Sequence, residues 1–142
     1  RGDSDALQRM QDAIAALPAE FRVVLVLKEI AGLSVEDTAA ALGMKPQTVK
    51  TRLHRARMRL RRSIVSALPR KPGSAPAYSK QVCLDLLKAK QDALDRGVPF
   101  PVQEGLVCER CQAVFATLDL GADLCQRLGA GPLPPALRKL IS

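Results

Sequence analysis

Aromatic side chains are scarce in this chain: no tryptophan, one tyrosine and three phenylalanines among 142 residues. A core must then be built from Leu, Val, Ile and Ala, which suits helices packed on helices. No apolar run approaches the roughly 20 residues needed to cross a bilayer. The first ten residues, Arg1 to Met10, are polar and acidic and make no secretion signal. Together these absences exclude a membrane-spanning helix and predict a cytoplasmic protein. Alternating strand patterns and internal repeats are missing as well. So is the equipment of an enzyme: there is a single histidine, no phosphate-cradling loop and no plausible catalytic triad. The first residue is arginine and not methionine, which predicts a piece of a longer protein.

What the chain does have is positive charge, unevenly placed. Its net charge is +8. Residues 1–72 hold 14 Lys/Arg and 7 Asp/Glu, against 8 and 7 in residues 73–142. Between Lys45 and Lys71 there are ten basic residues and no acid. Such a block calls for a polyanion or a well-solvated face. Nucleic acid and an anionic membrane both qualify on composition alone.

The stretch from Pro69 to Pro76, PRKPGSAP, carries no apolar period and reads as a linker, so the chain divides into residues 1–68, a linker over 69–77, and residues 78–142. The first unit predicts four helices. Leu7, Met10, Ile14 and Leu17 recur every three or four residues until Pro18. A second helix spans Ala19 to Ile30, with Phe21, Val24, Leu25 and Leu27 available for burial, and Gly32 ends it. Ser34 then caps a short helix, with Asp37 completing a capping-box-like pair, and Gly43 stops it. Pro46 opens the last helix, which runs to about Ala67. In the second unit, helices are expected over Ser79–Arg96, Leu106–Leu118, Gly121–Leu128 and, after Pro134-Pro135, up to Ile141. The whole is expected to be all-α.

At about 100° per residue, the helix after Pro46 places Val49, Leu53, Ala56 and Leu60 in one narrow stripe. Gln47, Lys50, Thr51, His54 and Arg55 gather on the other side. Short readers near a helix start with arginines behind them suit a recognition helix, whose first turns reach base edges while later cations neutralise phosphates. A plain charged, solvated helix face is the bland alternative. It accounts less well for a capped short helix, a glycine turn and a long basic helix occurring in that order.

The stretch ALPAEFRVVLVLKEIAGLSVEDTAAALGMKPQTVKTRLHRARMRLRR resembles region 4 of the extracytoplasmic-function (ECF) sigma factors. Residues Thr48-Val49-Lys50-Thr51-Arg52-Leu53-His54-Arg55-Ala56-Arg57 stand where that family has TVKSRLHRAR, with Thr51 in place of the usual serine. The resemblance implies a domain that reads the −35 promoter element while core RNA polymerase holds the rest. It makes Lys50, Thr51, His54 and Arg55 the DNA contacts, with Lys45, Gln47 and Thr48 beside them. The family's region 2, which melts the −10 element, has no counterpart here.

All four cysteines, Cys83, Cys108, Cys111 and Cys125, lie in the second unit. In a reducing cytoplasm disulfides are disfavoured. Cys108-x2-Cys111 sets two thiols at a helix start where they can share a metal. With Cys83 and Cys125 they make a tetrahedral set for Zn2+ or Cd2+, and a subset suits Cu+. The order resembles the zinc-binding anti-sigma domain, with Glu104 where that family has histidine. The resemblance leaves Glu104 or Cys125 to complete the site. A cysteine-rich tail fused to an ECF region 4 is the arrangement of the CorE-type sigma factors, and implies a switch driven by copper, cadmium or zinc. Other readings stay open: a permanent structural zinc, ordinary buried thiols, a redox pair, or a metal-independent protein-interaction tail. The sequence also leaves room for a homo-oligomer.

Overall fold

In the computed structural model, residues 2–66, 77–103 and 106–130 are described. All regular structure among them is helical, with no strand. The elements are α1 (Gly2–Ala15), α2 (Ala19–Leu25), a π-helical turn (Val26–Ile30), α3 (Val35–Leu42), α4 (Pro46–Ser66), α5 (Lys80–Arg96) and α6 (Glu109–Gly129). The readings of a linker over 69–76, a helix from Pro134 to Ile141 and a ligand at Glu104 lie outside the described residues. No described helix is long and apolar enough to cross a membrane.

The apolar stripe of α1 does what its spacing asks. Met10 and Ile14 are fully buried, and Leu17 follows them into the core. Pro18 then starts α2. Arg22 of α2 donates back to the Ala15 and Leu17 carbonyls, at 3.0 and 3.3 Å, satisfying acceptors left open at the end of α1.

One uninterrupted helix was expected over Ala19–Ile30. Instead α2 widens into the π turn, closed by Ala31 N–H donating to the Val26 carbonyl at 2.8 Å. A π turn holds one residue more than an α turn. That shifts the buried face by a position: Val26, not among the residues read for burial, is fully buried, and Leu27, which was, is only half-buried. The same turn directs Glu29 toward α4.

Ser34 caps α3 by accepting from Asp37 N–H at 3.0 Å. Gly43 ends α3 at φ +65°, a left-handed conformation that a side chain would strain. The chain then turns directly into α4, whose Val49, Leu53, Ala56 and Leu60 are all buried.

Helix α5 opens on Ser79, whose hydroxyl accepts from Val82 N–H at 3.4 Å, and closes on Gly97, again at φ +65°. The sequence offers Val82, Cys83, Leu86, Leu87, Ala93 and Leu94 at helical spacing, but the buried face is only partly theirs. Val82 is exposed and Leu86, Leu87 and Leu94 are half-buried, while Lys90, Gln91 and Asp95 are buried. Gln91 and Asp95 meet the cationic flank of α4, where they bind His54 and Arg57, while Lys90 pairs with Asp119 of α6 at 2.7 Å.

Helix α6 also departs from expectation. Two helices separated near Gly121 were read, but one helix of 21 residues runs through. Glycine lowers helix stability by about 1 kcal/mol relative to alanine without breaking a helix. Here Gly121 faces Ile64 of α4 and Met10 of α1.

Two apolar clusters result. The larger holds the buried residues of α1–α4 together with Leu124, Cys125 and Leu128 from the end of α6. The smaller is built from Val107, Cys108, Cys111, Phe115 and Leu118, and Met58 of α4 packs against it. Phe100 meets Phe115 edge-on, with centroids 5.2 Å apart. The tail thus grips α4 from two sides.

Candidate nucleic-acid interface and thiol site

Burial of the Val49–Leu60 stripe leaves the opposite face of α4 toward solvent. Lys45, Gln47, Thr51 and Arg55 are exposed there, and Thr48 and Lys50 are half-buried. Thr51 donates to the Gln47 carbonyl at 3.0 Å, which holds its hydroxyl along the helix. Gln47, Thr48, Thr51 and Arg55 line one open groove with Glu20 and Phe21 of α2. Arg52, not singled out in the sequence, lines it too and faces Glu20 at 4.0 Å.

His54 is placed differently from its neighbours. Its Nε2–H donates to Asp95 Oδ2 of α5 at 2.9 Å, so the tail already engages this expected DNA contact. One turn on, the buried Arg57 joins three elements. Its Nη1 donates to Asp95 Oδ1 at 2.6 Å and Gln91 Oε1 at 3.0 Å, and its Nη2 to Glu29 Oε1 at 2.6 Å. Gln91 in turn donates to the His54 carbonyl at 3.2 Å. Burial would raise the Asp95 carboxyl, but the His54 hydrogen bond and the Arg57 charge outweigh it and hold Asp95 below its ordinary value. This clamp was missed from sequence. Its one signal was weak: Gln91 and Asp95 lie four apart on α5, as His54 and Arg57 lie three apart on α4.

The thiols come next. Cys83 lies in the first turns of α5, Cys108 is the N-cap residue of α6, and Cys111 is in its first turn. Their sulfurs all lie within 4.8 Å of one another. Zinc–thiolate bonds of about 2.3 Å in a tetrahedron set sulfurs about 3.8 Å apart, so a small closure suits a soft ion. Backbone donors, first that of Ala77, lower Cys108 to about 7, which brings a thiolate within reach near neutral pH. Burial, then the adjoining Cys83 and Cys108 thiols, push Cys111 up to about 12.

The four-cysteine set read from sequence does not assemble. Cys125 lies 14 residues beyond Cys111 on the same unbroken helix, about 21 Å along its axis at 1.5 Å per residue. It is 1% exposed in the larger core, where burial and the Glu29 charge push its thiol up to about 12. It is a core residue and no partner of the other three.

With this geometry in view, comparison with known proteins can be placed on the structure. Residues 7–60 match the family model described as "Sigma-70, region 4". The helix-turn-helix unit is thus similar to sigma-70 region 4 domains. Among curated relatives, the chain is 42% identical over 65 residues to the ECF RNA polymerase sigma factor SigD of Mycobacterium tuberculosis, covering 46% of this chain and 31% of that protein. It is 50% identical over 52 residues to the ECF RNA polymerase sigma factor SigE of Mycolicibacterium smegmatis, covering 37% and 20%. It is 46% identical over 57 residues to the RNA polymerase sigma-E factor of Streptomyces coelicolor, covering 40% and 32%. The chain thus spans about a third or less of the length of these relatives. No solved structure matches it. The region 4 match ends inside α4, so α5, α6 and the thiol site lie beyond it.

Proposed function

We propose that this chain recognises the −35 promoter element as part of an ECF sigma factor of RNA polymerase, and that metal bound by its tail switches that activity, as in the CorE-type sigma factors. Residues 1–68 read DNA, through Lys50, Thr51, His54 and Arg55 with Lys45, Gln47 and Thr48 beside them. Residues 78–142 carry the regulatory site, in a cytoplasm that keeps thiols reduced.

One observation carries the reading: α5 holds both a thiol of the cluster and the clamp on the recognition helix. Cys83 is at its start, and Gln91 and Asp95, which bind His54 and Arg57, are two and three turns on. Cys83, Cys108 and Cys111 would hold zinc, cadmium or copper(I), with Glu104 a candidate to complete the set. A bound ion would replace the thiol protons and tie the start of α5 to the start of α6. Fixing those ends fixes how α5 lies along α4, and so how His54 is presented.

Titration of the reduced protein, following thiolate-to-metal absorbance, tests the site. Stoichiometric binding is expected to disappear in Cys83→Ser, Cys108→Ser and Cys111→Ser and to persist in Cys125→Ser. Promoter output from the whole sigma factor should then respond to metal in the parent and not in the first three variants. Output that ignored metal in all of them would contradict the switch. A second reading has its own support, since Leu124, Cys125 and Leu128 belong to the region 4 core. A tail that is part of the fold fits a structural zinc. In that case metal removal lowers the melting temperature and leaves promoter output unresponsive to metal.

A further inference from the structure

A second groove runs beside the first, between α4 and α5. One wall carries Arg55, Arg59 and Arg62, spaced four and three apart on α4; the other carries Lys88 of α5; Met58 and Leu87 are in its floor. The groove is open, about 540 Å3 in volume, and no carboxylate lines it. All four cations are exposed. Arg59 lies over the Phe21 ring at 5.2 Å, which limits where its guanidinium can go. Of the nearby acids, Glu20 lines the adjoining groove and faces Arg52, and Asp95 is 1% exposed and committed to His54 and Arg57. Arg55 lines both this groove and the one formed by Gln47, Thr48 and Thr51. The cationic track therefore continues from the recognition face across the boundary onto the tail.

Resting on the DNA-binding reading above, we propose that α5 is itself part of the DNA surface: the phosphate backbone lies in the α4–α5 groove, and Lys88 contacts it together with Arg55, Arg59 and Arg62. The charge complementarity is one-sided, and the groove is continuous with the base-reading face. Lys88 reaches this position only while the Asp95 clamp holds α5 on α4. The docked tail then strengthens DNA binding instead of masking it.

The test uses the full chain and a random-sequence DNA duplex, with affinity measured over a series of salt concentrations. Each phosphate contact contributes about one unit to the slope of log affinity against log salt. Lys88→Ala is expected to reduce the slope by about 1, as Arg59→Ala does, and Lys88→Glu to weaken binding further. Lys28→Ala, on the π turn and off the groove, should leave the slope unchanged. Since Lys88 is exposed, the thermal melts of its variants should overlay that of the parent. Wild-type affinity and slope in both Lys88 variants, with binding impaired in Arg59→Ala, would overturn the proposal and leave the DNA-binding reading standing. Tighter binding by Lys88→Glu would also overturn it, by showing that α5 masks. If Arg55→Ala and Arg59→Ala bound as the parent does, the DNA-binding reading itself would fall.

Discussion

Asp95 binds two side chains of α4 at once, so its removal should be felt well beyond its own volume. Asp95→Asn leaves Arg57 buried with Glu29 as its only carboxylate. Removing one member of a buried ion pair destabilises by about 3 kcal/mol, and urea unfolding of the variant should show a loss of that order. The pH dependence follows from the same contacts. The carboxyl is held below its ordinary value of 3.8, so its stabilisation is fully present above that value. It is lost as pH falls through the lower, folded-state value. Below about pH 4 the parent should therefore lose melting temperature more steeply than Asp95→Asn. The contrast between what could and could not be read from sequence is sharpest here. Val49, Leu53, Ala56 and Leu60 declare themselves because a helix repeats every 3.6 residues and their neighbours are charged. Asp95 and Arg57 do not, since their meeting depends on two helices whose residues lie 38 apart in the chain. Charged residues at such positions ordinarily face solvent.

The helices bear unequal tolerance for change, and glycine shows it within α6. A Cβ at Gly121 would meet Ile64 at 3.7 Å, ordinary contact distance. Gly121→Ala should stabilise by about 1 kcal/mol through helix propensity. A Cβ at Gly129 would run into the Ile30 carbonyl. Gly129→Ala should destabilise by about 1–3 kcal/mol, as overpacking does, by lifting the end of α6 off the π turn. Calorimetric melts of the two variants should move in opposite directions. Within α4, Leu53→Ala should lose about 2–5 kcal/mol, because Leu53 is fully buried against the other helices of the first unit. The helices of that unit were legible because Ser34, Gly43 and Pro46 punctuate them. The π turn was not, since no residue type marks it. Gly121 was misleading: it resembles a break in sequence and serves instead as a close-packing point. Cys125 entered the expected metal set because four thiolates complete a tetrahedron; the unbroken α6 shows how far it stands from Cys111.

At the scale of the molecule, the tail and the helix-turn-helix unit share a core, and the thiol cluster reaches α4 through Met58 and through the length of α5. Metal affinity and DNA affinity should then be linked, each altering the other by the same factor. The sequence implied a metal-driven switch only through its resemblance to the CorE-type factors; the contacts that would carry the coupling depend on how α5 and α6 lie on α4. The most direct measurement is the affinity of the reduced chain for a DNA duplex, with and without one equivalent of cadmium or zinc, in the parent and in Cys83→Ser. Metal should tighten DNA binding by the parent and leave Cys83→Ser unchanged. Equal affinities in the parent, with metal bound in full, would contradict the coupling and leave a DNA-binding domain with an independent metal site.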